Sequence, residues 1–235
     1  MNKKNSMKIE YEKIGNFRCQ CAYFNKTEIN KVILWPGQMG FEQVVKLLEK
    51  KSPKKDFIIL AFQVNSWDND LSPWESKGIK GEYFNGDGQK TLNYIKNEFL
   101  PFFEKKFPEM INKPKIIAGY SLSGLFSLYC FYSTNLFIGV GGMSPSLWFE
   151  DWFKFMKDHH ANNKDSFVYL SLGDVEERTT DEHLSIGGNV KIQYDFVKKD
   201  SNVKNSIYEL NPGNHYVHAD ERVVKGLLWL LNHVQ

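Results

Sequence analysis

Apolar residues along this chain follow two rhythms. Short, nearly continuous apolar runs recur at Lys31–Trp35, Phe57–Gln63, Lys115–Ala118, Phe137–Gly141, Phe167–Leu172 and Ser206–Leu210, and Phe17–Phe24 alternates. Runs of this length between turn residues predict strands, and unbroken apolarity predicts strands buried on both faces of a mainly parallel sheet. Between them, apolar residues return every three or four positions. Gly40–Lys51 carries Phe41, Val44, Val45, Leu47 and Leu48, and Gln89–Phe107 carries Leu92, Ile95, Phe99, Phe102 and Phe103. Leu122–Tyr132 follows a Gly-containing turn, and Asp220–His233 has a stripe at Val223, Val224, Leu227, Leu228 and Leu231. This spacing predicts helices. Pro101 lies inside the second of them, where its missing N–H predicts a kink or break. Strand alternating with helix predicts a doubly wound α/β sheet, in which chemistry sits at the carboxyl ends of the strands. No repeat and no Pro-, Gly- or Ser-rich linker interrupts the alternation, so residues 1–235 are read as one domain.

Composition narrows the class without changing that picture. The 235 residues are 42% hydrophobic and 15% aromatic, which excludes disorder and low-complexity chains. Thirty basic against 28 acidic residues give a net charge of +2 and no reason to expect a nucleic-acid partner. The densest basic run, Lys50, Lys51, Lys54 and Lys55, reads as a solvated helix end. Cys19, Cys21 and Cys130 are too few and too oddly spaced for a disulfide framework; Cys19 and Cys21 would share one face of a strand. The basic N-terminus is followed by no apolar h-region, and no run approaches the length of a membrane span. A cytoplasmic protein without a membrane partner is the expectation.

Candidate chemistry begins where KIIA ends. Gly119-Tyr120-Ser121-Leu122-Ser123-Gly124 leads from a strand into an apolar helix, the context of a nucleophile elbow. In such a turn a serine hydroxyl projects into a cleft beside a helix N-terminus, which favours an oxyanion. The motif departs from G-x-S-x-G because Ser123 stands at the final glycine position and Gly124 comes one residue later. Ser121 is the candidate nucleophile. Ser123 is the minor alternative, and a helix-capping serine is the non-catalytic one.

A serine hydroxyl needs a base, and the base an orienting acid; in the α/β-hydrolase order both follow the serine. The run FVYLSL ends in Gly173-Asp174-Val175-Glu176-Glu177, so Asp174, Glu176 and Glu177 are candidate acids. The last strand ends in Pro212-Gly213-Asn214-His215-Tyr216-Val217-His218, with His215 the first choice of base and His218 the second. His159 and His160 read as surface residues, His183 sits in an acidic loop beside Asp181 and Glu182, and His233 lies in the final helix. No histidine spacing suggests a metal site. The glycines of GDGQK at 86–90 lack the spacing of a phosphate loop and read as a helix entrance.

Taken together these segments resemble the putative-esterase (esterase D-like) branch of the α/β-hydrolase superfamily. That branch includes enterochelin (siderophore), feruloyl and acetyl esterases and S-formylglutathione hydrolases. The likeness rests on IIAGYSLSGLFSLY at 116–129, GVGGMSPSLWF at 139–149, LSLGDVEE at 170–177, PGNHYVHADERVVKGLLWLL at 212–231 and NSWDNDLSPWES at 65–76. It implies the α/β-hydrolase fold: a mostly parallel central sheet of about eight strands with helices on both faces. It matches Ser121 to the nucleophile and His215 to the histidine. The acid, usually three residues after the strand-terminal glycine, falls on Glu176, with Glu177 and Asp174 as alternatives. The oxyanion hole would use the N–H of Leu122 and of Gln38, or else of Gly37.

The implied activity is hydrolysis of small carboxylic esters through an acyl-enzyme, which needs no cofactor or metal. The alternatives are a thioesterase, peptidase or acyltransferase on the same residues, or an impaired hydrolase fold used for binding, to which Ser123 lends its only support. Trp67, Trp74, Phe84 and Trp148, with Tyr120 beside the serine, are candidate substrate-binding aromatics, against the alternative that they cover the core. The sequence gives no oligomeric state and no particular ester.

Overall fold

The computed structural model describes residues 6–37, 40–78, 81–177 and 186–235. Its strands are β1 (Lys8–Ile14), β2 (Phe17–Tyr23), β3 (Lys31–Pro36), β4 (Phe57–Gln63), β5 (Glu75–Lys77), β6 (Tyr83–Asn85), β7 (Lys115–Tyr120), β8 (Gly139–Met143), β9 (Ser166–Gly173) and β10 (Val203–Asn211). The α-helices are α1 (Phe41–Lys51), α2 (Trp67–Asp70), α3 (Gly88–Tyr94), α4 (Leu100–Lys106), α5 (Leu122–Ser133), α6 (Trp152–Lys157), α7 (Asp174–Glu177), α8 (Ile186–Lys199) and α9 (Ala219–His233).

Eight strands form one sheet in the order β1-β2-β4-β3-β7-β8-β9-β10. From β4 to β10 every neighbouring pair is parallel; β2 meets β4 and β1 antiparallel. The expected mostly parallel sheet is therefore present. The continuous apolar runs have a direct cause: alternate residues of one strand feed different cores. In β3, Val32 and Leu34 join the core that holds Phe99, Phe103 and Phe126, whereas Ile33 and Trp35 join Val44 and Leu48 of α1 and Val223, Val224 and Leu227 of α9. Cys19 and Cys21 share the first of these cores, and all three cysteines are free and buried.

Besides α6 and α8, helices that the apolar spacing did not predict, the structure departs from the expected elements in three further places. The N-terminal stretch KIEYEKI forms edge strand β1, paired with β2 through the Gly15-Asn16 turn. Its charged alternation suits a half-exposed edge. The short hairpin β5–β6 stands outside the main sheet. Pro101 does not break its helix. A π-helical turn at Ile95–Phe99 joins α3 to α4, with Leu100 N–H bonded to Ile95 O. The wider turn absorbs the bond that proline cannot make.

Candidate active site

Three parallel strands deliver the site from their carboxyl ends. β7 ends at Tyr120 and α5 begins at Leu122, so Ser121 alone makes the turn. Its backbone has φ 59° and ψ −125°, a conformation costly for a side-chain-bearing residue. The turn is fastened by Ser121 N–H to Met143 O (3.1 Å) and by Ser146 N–H to Ser121 O (3.1 Å). It closes only because Gly119 and Gly124 lack side chains. A Cβ at Gly119 would stand 2.2 Å from Ser123 O, and one at Gly124 would stand 3.0 Å from Gly119 O and 3.2 Å from Pro145. Ser123, where the motif departs from its usual glycine, is buried and donates its hydroxyl to Pro36 O at 2.5 Å. The extra side chain thus ties α5 to the end of β3, and the elbow geometry persists around it.

His215 lies in the loop after β10. Its Nε2 is 3.1 Å from Ser121 Oγ, and its Nδ1 is 2.7 Å from Glu176 Oε2. Glu176, in α7 just after β9, is 5% exposed. Its other oxygen, Oε1, accepts from Ser144 Oγ, Gly173 N–H and the Arg222 guanidinium, each at 2.9 Å. Burial pushes the Glu176 carboxyl up. The bonds and charge from His215, with those from Ser144 and Gly173, outweigh burial and hold it below the ordinary carboxylate range.

The other candidates have different company. Asp174 Oδ1 accepts Gly213 N–H at 2.8 Å and so fastens the histidine loop, while Glu177 pairs with Lys191 at 2.7 Å. His218 is largely exposed and 3.9 Å from Glu221. Gln38 and His183 lie outside the described residues, whereas Gly37 borders the cleft.

Sequence reasoning missed Arg222, Ser144 and Ser146 as members of the site. Arg222, 2% exposed, is carried by α9. Besides Glu176 it donates to Tyr120 Oη (3.1 Å), Pro212 O (3.2 Å) and Asn214 O (2.6 Å). Tyr120 Oη in turn donates to His215 O at 2.8 Å. One guanidinium thus ties Glu176, the His215 loop and the residue preceding Ser121. The available signal was an arginine among the apolar positions of the last helix. Ser144 and Ser146 belong to the Ser-Pro-Ser loop after β8, and Ser146 Oγ is 3.4 Å from Ser121 Oγ.

A cleft of about 460 Å³ opens over Ser121 and His215, bordered by Trp35, Trp67, Tyr120 and Tyr216. Of the candidate substrate-binding aromatics, Trp67 and Tyr120 border the cleft. Trp74 and Trp148 do not border this cleft. Trp74 stacks on Trp152 (6.4 Å between centroids), meets Phe149 edge-on and donates Nε1–H to Glu150 O at 2.9 Å. Trp148 packs on Phe84 and Phe149. This is the packing arrangement that the sequence left open for them: such ring contacts remove apolar surface that a loop would otherwise expose. Among the described residues, no group of three or more His, Cys, Asp or Glu side chains could hold a metal ion, and no helix is long and apolar enough to cross a membrane.

An eight-stranded, mostly parallel sheet with a serine at a strained strand-to-helix turn is the architecture of an α/β hydrolase. The family model described as Putative esterase matches residues 42–219, more than half of the chain, and the chain belongs to that family of carboxylic ester hydrolases. No curated protein matches the sequence. Solved structures do match the fold. A siderophore hydrolase, EstA, from Aspergillus nidulans has a TM-score of 0.76 at 16% identity over 97% of this chain and 94% of its own. An IroE-like serine hydrolase from Shewanella oneidensis has a TM-score of 0.77 at 15% identity over 97% and 80%. A ferulic acid esterase has a TM-score of 0.65 at 13% identity over 98% and 99%.

Proposed function

We propose that the protein hydrolyses small carboxylic esters by two-step acyl transfer, with Ser121 as nucleophile, His215 as general base and acid, and Glu176 as the orienting carboxylate. The observation that carries this reading is the hydrogen-bonded line Ser121 Oγ, His215 Nε2, His215 Nδ1, Glu176 Oε2, with spacings of 3.1 and 2.7 Å. Those contacts are within reach of proton transfer at one end and of tautomer control at the other. His215 takes the Ser121 proton as the hydroxyl attacks the ester carbonyl, and Glu176 stabilises the imidazolium that forms. The tetrahedral oxyanion is met by the N–H of Leu122, the first residue of α5, whose amide has no acceptor within its own helix. The family resemblance assigns the second donor to Gln38, two positions beyond β3 in the sequence. His215 then protonates the departing alcohol, and water, activated by the same imidazole, releases the acid.

The direct test is labelling with a fluorophosphonate, mapped by mass spectrometry, alongside turnover of 4-nitrophenyl acetate. A single adduct on Ser121, absent from Ser121→Ala, is the expected result. An adduct on Ser123, or neither adduct nor turnover, would overturn the assignment.

A further inference from the structure

Among the described residues, the cleft over Ser121 holds one carboxylate that the reaction above does not use. Asp220 borders it, in the first turn of α9, opposite Gly40 at the start of α1. A Cβ built on Gly40 would lie 3.1 Å from Asp220 Oδ1, so the carboxylate hangs directly over that glycine's backbone. No hydrogen bond or ion pair to Asp220 exists among the described residues, although the helix carrying it also carries Arg222 and Lys225, which bond elsewhere. Burial alone displaces its titration, upward, as expected of a carboxylate withdrawn from water without a cation. The N-termini of α1 and α9 favour the negative charge there without neutralising it. The cleft it borders is also lined by the rings of Trp67, Tyr120 and the 86% exposed Tyr216. Rings with a carboxylate beside them suit an alkylammonium group, which gains from the ring faces and from the charge at once. A neutral ester leaves the carboxylate desolvated and unpaired.

We propose that Asp220 is a specificity residue that selects esters bearing a cationic, alkylammonium group. The inference rests on the serine-esterase reading of Ser121, since the cation must reach Asp220 while the ester carbonyl is at the serine. The cation belongs to either the acyl or the alcohol portion, and two isosteric pairs separate these cases. Acetylcholine against 3,3-dimethylbutyl acetate places the charge on the alcohol. The 4-nitrophenyl esters of 4-(trimethylammonio)butanoic and 5,5-dimethylhexanoic acids place it on the acyl chain. In each pair a quaternary nitrogen replaces a quaternary carbon.

The expected result is a wild-type kcat/KM that favours the cationic member of at least one pair. Asp220→Asn should lower that preference about 10-fold and Asp220→Glu should restore part of it. The responding pair identifies the portion that carries the charge. An independent readout uses calorimetric titration of benzyltrimethylammonium into Ser121→Ala, with and without Asp220→Asn, both checked for an unchanged circular dichroism spectrum. Saturable binding lost on the second substitution supports the proposal. A cationic-to-neutral ratio untouched by Asp220→Asn in both pairs, or cation binding indifferent to it, overturns the proposal. If no ester is turned over, the esterase reading fails by itself, and the titration still decides the role of Asp220.

Discussion

Glu176 is held by four polar contacts, and its surroundings make separate demands on each oxygen. Oε2 faces His215, whereas Oε1 is taken up by Ser144, Gly173 and Arg222. Glu176→Gln keeps the shape but presents a neutral amide to Nδ1 and to a buried guanidinium. It should lower kcat by roughly 10³–10⁴, as loss of the orienting acid does in serine hydrolases. Glu177→Gln, whose partner is Lys191, should leave kcat within about twofold of wild type. Steady-state kinetics on 4-nitrophenyl acetate would separate the two, and the reverse order would move the acid to Glu177. Ser123 offers a second residue-level test. Its hydroxyl donates to Pro36 O in a buried setting, so Ser123→Ala should cost about 1 kcal/mol in urea unfolding while labelling of Ser121 persists.

At the scale of the element, β7, the turn and α5 form one device in which backbone strain aims a side chain. The positive φ of Ser121 is sustained by Met143 O, Ser146 N–H and the close approach of Gly119 to Ser123. Gly119→Ala would push a methyl group into Ser123 O, forcing the strand and helix apart. The expected outcome is loss of fluorophosphonate labelling together with a stability loss of about 2–4 kcal/mol, read by denaturant unfolding. A variant that labels as fast as wild type would show that the turn has slack these contacts deny it. The π turn before α4 is a comparable local solution, in which a proline is housed by widening a helix rather than ending it.

Across the whole molecule, Arg222 couples the last helix to the ends of β7, β9 and β10. A buried guanidinium facing a buried carboxylate contributes little over apolar packing, yet removing one partner strands the other. Arg222→Met should therefore cost about 3–5 kcal/mol, and also reduce kcat by releasing Asn214 O and Tyr120 Oη, both of which brace the His215 loop. Normal stability in that variant would assign the arginine no such role. The same network sets an acid limit. The folded Glu176 carboxyl titrates below its unfolded value, so its contribution is complete above the ordinary range near pH ~4.3 and is lost as the pH falls through the lower, folded value. Below about pH 5 the wild-type Tm should decline more steeply than that of Glu176→Gln.

The sequence by itself determined the parallel sheet, because strands buried on both faces must be apolar throughout and KVILW, FIILAFQ and FVYLSL are so over their central residues. It also determined the strand-to-helix turn at Ser121, since only small residues permit a strand to turn into a helix in one step. Tertiary structure decided what spacing cannot carry. Asp174, Glu176 and Glu177 are near neighbours in sequence, but they diverge around a turn of α7 toward Gly213, His215 and Lys191. Trp74 and Trp148 read like Trp67 in a string of letters, yet rings from distant segments close over them. Arg222 stood among the apolar positions of the last helix with no partner legible in the sequence, and only the convergence of β7, β9 and β10 on α9 gives its charge one. Local pattern follows from which residues must leave water; the pairing of particular polar groups follows from which surfaces the folded chain brings face to face.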